Sequence, residues 1–237
     1  MARKSKLLDS IRSGDAEEAK RLICSGRSNV RINEDQPLRL AAAAGMSETA
    51  VLLLHYGADV AARHHEAMVA SIENGHDETA KEILAYAYKT KLKQAPPDGV
   101  VFAAARYGRR GLLRELIAAG ANVTGGDSLA LAAAAGYADA ATVEFLIDAG
   151  AKINGGDGMA LVEAVHFGRE GMCRILLEAG ADPHAGDDAP IREAREQGRD
   201  HLLRLLERPK SAPAGQIDMA KVEADLQGLR RGPALTF

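Results

Sequence analysis

The residues best able to do chemistry are few and scattered along the chain. "GGD" stands at 125–127 and again at 155–157, a composition that could cradle a phosphate or a cation. A phosphate loop needs GxxxxGK[ST], which is absent, and glycine-rich calcium repeats recur at far shorter intervals than these two. His64 and His65 offer imidazoles, but no further cysteine or histidine stands beside them at zinc-site spacing. Cys24 has no histidine nearby in sequence, and HExxH, CxxC and GxSxG do not occur. The pattern points away from an enzyme and implies no metal and no cofactor. What remains are side chains suited to gripping another macromolecule: Arg106 with Tyr107, His166 with Phe167, and Tyr88 with Lys89 and Lys91. Aromatic residues and arginine are the usual anchors of protein interfaces.

The elements that must position these side chains follow a rhythm. A glycine ends an alanine-rich or short helical run at Gly14, Gly45, Gly75, Gly108, Gly136, Gly168 and Gly198, at spacings of 31, 30, 33, 28, 32 and 30 residues. A second marker keeps step with it: "YGADV" at 56–60, "AGANV" at 119–123, "AGAKI" at 149–153 and "AGADP" at 179–183. Within 128–157, Gly136 reads as the left-handed end of a first helix, and Asp139 as the cap of a second. Val143, Leu146 and Ile147 form one apolar stripe, and "AKI" with "NGGD" reads as a short hairpin-like finger. No such unit can bury its stripe alone, so neighbours must stack.

In period, helix ends and "GADV"-type turns the chain resembles the ankyrin repeat family over residues 5–208, in a divergent form similar to bacterial and viral ankyrin-like proteins. The usual Thr-Pro-Leu-His opening is replaced by "QPLRLA", "DSLALA", "DGMALVEA" and "DAPIREA", which predicts looser fingers. The resemblance implies an all-α helix-turn-helix solenoid with short hairpin-like fingers and about seven units, caps included. Residues 1–34 form the N-terminal capping repeat, with an Asp15/Glu18 capping box, and residues 35–208 the array. Residues 209–237 form a linker and an amphipathic C-terminal helix and tail carrying Ile217, Met219, Val222, Leu226 and Leu229. It also implies a groove lined by the two residues before each helix-ending glycine. Those pairs include Ala43/Ala44, Arg106/Tyr107, Ala134/Ala135 and His166/Phe167.

One beat is missed. "AYAYKTKLKQAPPDG" at 85–99 lacks the terminating "GA", so the outer helix is expected to run on until Pro96 and Pro97 stop it. Tyr88, Lys89 and Lys91 then sit on a protruding basic element. Residues 86–116 hold seven cations against two carboxylates, whereas 121–190 hold eleven carboxylates against three cations. Such segregation orients a partner of complementary charge. The expected function is a non-catalytic scaffold, an adaptor or regulatory subunit that binds another protein through the groove and the 85–99 protrusion. Nucleic-acid binding by the band 86–116 is the alternative, disfavoured by the net charge of −3. No apolar run approaches membrane-spanning length and no signal peptide opens the chain, so a cytoplasmic location without membrane contact is expected. Both cysteines are expected to be buried thiols. The tail either docks on the partner or folds back.

Overall fold

The computed structural model describes residues 6–92 and 95–207, excluding the side chains of residues 89–92. The described residues form fourteen α-helices in seven consecutive pairs and contain no strand. The inner helices are α1 (Lys6–Arg12), α3 (Ile32–Ala43), α5 (Ala62–Glu73), α7 (Asp98–Arg106), α9 (Gly125–Tyr137), α11 (Gly155–His166) and α13 (Ala185–Glu196). The outer helices are α2 (Ala16–Cys24), α4 (Ser47–His55), α6 (Asp77–Ile83), α8 (Arg110–Ala118), α10 (Ala140–Asp148), α12 (Glu170–Glu178) and α14 (Asp200–Leu206). Each inner helix packs on the next along the whole array. The outer helices meet most closely in its first half, α2 on α4, α4 on α6 and α6 on α8.

The period sets the core. Leu116, Leu146, Leu176 and Leu206 recur every thirty residues, and all are buried. Ala104, Ala134, Ala164 and Ala194 keep the same step on the inner helices and are wholly enclosed, so helix backbones meet across a single methyl layer. Cys173 lies in register with Leu113 and Val143, and burial pushes its thiol up to about 11, leaving it protonated core filler. Cys24, expected to be buried, is exposed at the end of α2. The caps fall where the sequence places them: Asp15 accepts from the Glu18 amide at 2.9 Å, and Asp139 from the Thr142 amide at 2.9 Å.

The fingers differ from expectation. No hairpin forms among the described residues; instead α3, α5, α9, α11 and α13 each open with three left-handed residues, φ between 50° and 77°. The triplets are Asn33–Glu34–Asp35, Arg63–His64–His65, Gly126–Asp127–Ser128, Gly156–Asp157–Gly158 and Gly186–Asp187–Asp188. Left-handed backbone is costly for residues with a Cβ, on the order of 1–2 kcal/mol each, so it must be held from outside. Side chains tie several of these turns to the next unit. Asp35 accepts from the Asp59 amide at 3.0 Å, Ser128 from the Lys152 amide at 2.8 Å, and Asn154 from the Asp182 amide at 2.8 Å. Asp127 accepts from the Gly156 amide at 2.7 Å; that bond, helped by Lys152, holds its carboxyl below the usual range. The absent Thr-Pro-Leu-His opening has therefore not left the turns untied. Gly155 is needed because a Cβ there would stand 2.3 Å from the Asp127 carbonyl oxygen.

The glycine ruler slips once. Gly136 is buried inside α9 and does not take positive φ, and the helix runs on to Tyr137. Ala138, extended at φ −93°, stands where Gly108, Gly168 and Gly198 stand in their own units. The period through this half is thus thirty throughout, and Ala134 and Ala135 are core residues rather than groove ones.

At the missed beat the outer helix does run on, as π-helix over Leu84–Leu92, and α7 starts after Pro97 without a left-handed turn. Tyr88 is not displayed on this element: it is 1% exposed, among the largest fully enclosed side chains. Its hydroxyl meets His65 Nδ1 at 2.6 Å. In two sibling units the third left-handed residue ties to an amide 24 residues on, Asp35 to Asp59 and Ser128 to Lys152. Here that turn is missing, and Tyr88 supplies the partner instead. Burial pushes the Tyr88 phenol up and the His65 imidazole down, so the bond joins a neutral phenol to a neutral ring. Lys89 and Lys91 lie among the side chains outside the description, as do all of residues 208–237, on which the expected linker and C-terminal helix fall.

Two outcomes are expected. Gly155→Ala lowers stability in urea by about 1–3 kcal/mol through the forced contact, and an unchanged midpoint contradicts the packing of the turn. Tyr88→Phe costs about 1–3 kcal/mol by leaving His65 without its partner. Because the His65 pKa is lowered on folding, its contribution is present above about pH 6.5 and is lost as pH falls toward the folded value. His65→Gln should therefore flatten the acid side of the stability–pH curve, read by chemical denaturation at a series of pH values.

Candidate partner-binding groove

The C-terminal ends of α7, α9 and α11 each present an aromatic ring in the same register. Tyr107, Tyr137 and Phe167 follow one another at thirty residues and are 38%, 48% and 40% exposed. They form a connected row. The Arg106 guanidinium lies 4.1 Å from the Tyr137 ring centroid, and Tyr137 and Phe167 tilt together at 4.6 Å. Phe167 meets the His166 ring edge-on at 4.9 Å, and His166 Nδ1 lies 2.7 Å from Glu193 on α13. At the other end the Tyr107 hydroxyl makes a long contact of 3.5 Å to Glu73 on α5. Aromatic pairs of this geometry are favourable beyond their buried area, and a cation above a ring adds to that.

Gly136 explains how Phe167 reaches this row. A Cβ at Gly136 would stand 3.2 Å from the Phe167 ring, so the bare backbone of α9 is the surface on which that ring rests. Arg169 secures the same corner. Its guanidinium donates to the Ala135 carbonyl at 2.7 Å, to Ala134 at 3.4 Å and also to Ala138, closing the open end of α9. Arg199 repeats the device one unit on, donating to the His166 carbonyl at 2.7 Å. An open depression of about 470 Å³ lies between two rungs, lined by Arg106, Tyr107, Tyr137 and Asp139.

Of the residues singled out from the sequence, Arg106, Tyr107, His166 and Phe167 come together, linked through Tyr137. Tyr137 escapes a reading that takes Gly136 as the helix end; counting thirty from Tyr107 finds it. Tyr88 is in the core. The four arginines of the basic band are engaged within the array: Arg106 over Tyr137, Arg109 3.4 Å from Asp77, Arg110 3.6 Å from Asp139, and Arg114 5.9 Å from the Phe145 ring centroid. Among the described residues no cluster of acidic, histidine and cysteine side chains could hold a metal ion, and no helix is long and apolar enough to cross a membrane.

The family model of ankyrin repeats matches residues 101–187 in three copies. Ankyrin repeats are thus present over residues 101–187. Solved structures share the fold over more of the array. The human ASB11 ankyrin repeat domain is 20% identical with a TM-score of 0.64, over 88% of this chain and 100% of that one. The ankyrin repeat domain of Bcl-3, a member of the IkappaB protein family, is 23% identical with a TM-score of 0.61, over 85% and 98%. A chain of the complex between the predatory endopeptidase Bd0816 from Bdellovibrio bacteriovorus and the immunity protein Bd3460 is 20% identical with a TM-score of 0.58, over 75% and 99%. No curated protein matches the chain. The aromatic row falls within the matched repeats.

If Arg169 closes α9 as described, Arg169→Ala costs about 1–3 kcal/mol of stability. It also broadens the ring resonances of Tyr137 and Phe167; sharp, unshifted resonances in a variant of unaltered stability contradict the role.

Proposed function

We propose that this chain is a non-catalytic protein-interaction scaffold, an adaptor or regulatory subunit, that holds a partner protein through the row Arg106, Tyr107, Tyr137, His166 and Phe167. The observation that carries the reading is the row itself. In a chain with only nine Phe and Tyr residues and no Trp, three rings stand half-exposed in one register on adjacent repeats. A surface of rings braced by arginine matches what interface anchors require: large apolar area held at low conformational cost. The fold supports the same use, since repeat arrays offer extended surfaces for binding. The Bdellovibrio neighbour, solved as an endopeptidase–immunity protein complex, is one example of such a fold within a protein assembly. Lys89 and Lys91 are proposed as an auxiliary contact, and a cytoplasmic setting as the place of action. The partner bears charge complementary to the acidic half of the array.

Tyr107→Ala/Phe167→Ala removes two rungs of partly exposed side chain, so the array is expected to stay folded. Capture of the partner in affinity purification of the full chain should fall at least tenfold. Undiminished capture by a folded double variant overturns the assignment, and binding to random DNA or RNA with steep salt dependence would transfer it to the basic band.

A further inference from the structure

The exposed large apolar side chains are confined to one place. Among the described residues they are Tyr56, Tyr107, Leu129, Tyr137, Met159 and Phe167, and all but Tyr56 belong to α7, α9 and α11 or to the residue that caps them. Leu129, Ala133 and Tyr137 lie at i, i+4 and i+8 of α9, one face of a helix, and Met159, Glu163 and Phe167 repeat the spacing on α11. The aromatic row is therefore one lip of a floor made of buried Ala133 and partly buried Glu163, and Leu129 and Met159 mark the other lip. Beyond that second lip stand the left-handed turns, which expose Asp127, Asp157, Asp187 and Asp188. An occupant that fits this surface has an apolar stripe with cations beside it.

This chain carries such a sequence. In "IDMAKVEADLQGLRR" at 217–231, Met219, Val222, Leu226 and Leu229 keep the i, i+3, i+7, i+10 spacing of a single helix face, accompanied by Lys221, Arg230 and Arg231 and by Asp218, Glu223 and Asp225. The segment itself balances three cations against three carboxylates; the excess over 208–237, five against three, comes from Arg208 and Lys210 ahead of it and is opposite in sign to the eleven-against-three excess of carboxylates in 121–190. Reach is sufficient. The linker leaves α14 in the outer layer; the groove centre on α9 lies two repeats back and one helix layer in, roughly 22 Å at ordinary helix spacing, and the nine residues 208–216 can span about 30 Å. A tethered segment experiences a local concentration on the order of millimolar, so even a weak peptide contact would be occupied.

We propose that residues 217–231 of this chain occupy the groove formed by α7, α9 and α11, Met219, Val222, Leu226 and Leu229 facing Leu129, Tyr137, Met159 and Phe167. The array is then self-occupied, and a partner binds by displacing the segment. The inference rests on the groove reading of the proposed function.

Hydrogen–deuterium exchange on the full chain tests it, with a synthetic peptide of residues 213–237 as the reference. Amides of 217–231 should exchange at least tenfold more slowly in the chain than in the peptide. Tyr137→Ala/Phe167→Ala and, separately, Val222→Asp/Leu226→Asp should each restore the peptide rate while the circular dichroism of the array is unchanged. Peptide-like exchange in the unmodified chain overturns the proposal, as does slowing that survives Tyr137→Ala/Phe167→Ala. Slowing that vanishes on dilution, with a dimer in sedimentation, places the segment on a second copy and also overturns it. The two readings separate in affinity purification. Val222→Asp/Leu226→Asp should capture partner at least fivefold better than the unmodified chain; equal capture that still requires Tyr107 and Phe167 sinks self-occupancy and leaves the groove standing.

Discussion

No pair of helices in this chain can enclose its own apolar stripe, and everything else in the structure depends on how neighbours complete one another. The solution is a layer of alanine. Ala104, Ala134, Ala164 and Ala194 let successive inner helices approach closely, so small side chains do what large ones do in a compact domain. Close approach fixes the thirty-residue step, and the step places every other device in register: the buried leucines of the outer helices, the arginines that close the preceding helix, and the rings at its end. The left-handed turns belong to the same economy of space. Three residues in that conformation reverse the chain within a short unit, and side-chain oxygens aimed at the next unit's amides hold them there.

The interruption at 84–97 shows the constraint from the other side. Losing one turn removes the amide to which the preceding turn would tie, and the array answers with Tyr88 and a buried hydroxyl–imidazole bond to His65. The two tyrosines in "AYAYKTKLK" thus have different work. Tyr88 closes the core, while Tyr86, partly buried, reaches His55 at 3.3 Å. The extra length of helix repairs the stack between its halves.

Much of this was legible in the sequence, and the misreadings have physical causes. Helix pairs, the caps at Asp15 and Asp139 and the prolonged outer helix follow from local chemistry, which a sequence displays. The role of Gly136 does not, because a glycine can end a helix or make room for a neighbour's ring, and only Phe167 from the next repeat decides between them. The same holds for Tyr88, whose hydroxyl finds its partner in His65 at the turn that opens α5, and for the left-handed turns, whose conformation in non-glycine residues is enforced by bonds from elsewhere. Four of the expected groove residues assemble; Tyr137, the rung that joins them, emerges only once the period is counted from residues rather than from glycines.

Inter-residue nuclear Overhauser effects at the Tyr137 ring test the thirty-residue register most directly, since one residue joins three repeats. The register requires cross-peaks from Tyr137 ring protons to the Phe167 ring and to the δ-methylene of Arg106. Cross-peaks confined to its own helix, with Ala134 and Ala135 meeting solvent instead, would contradict it and dissolve the row on which the binding surface is built.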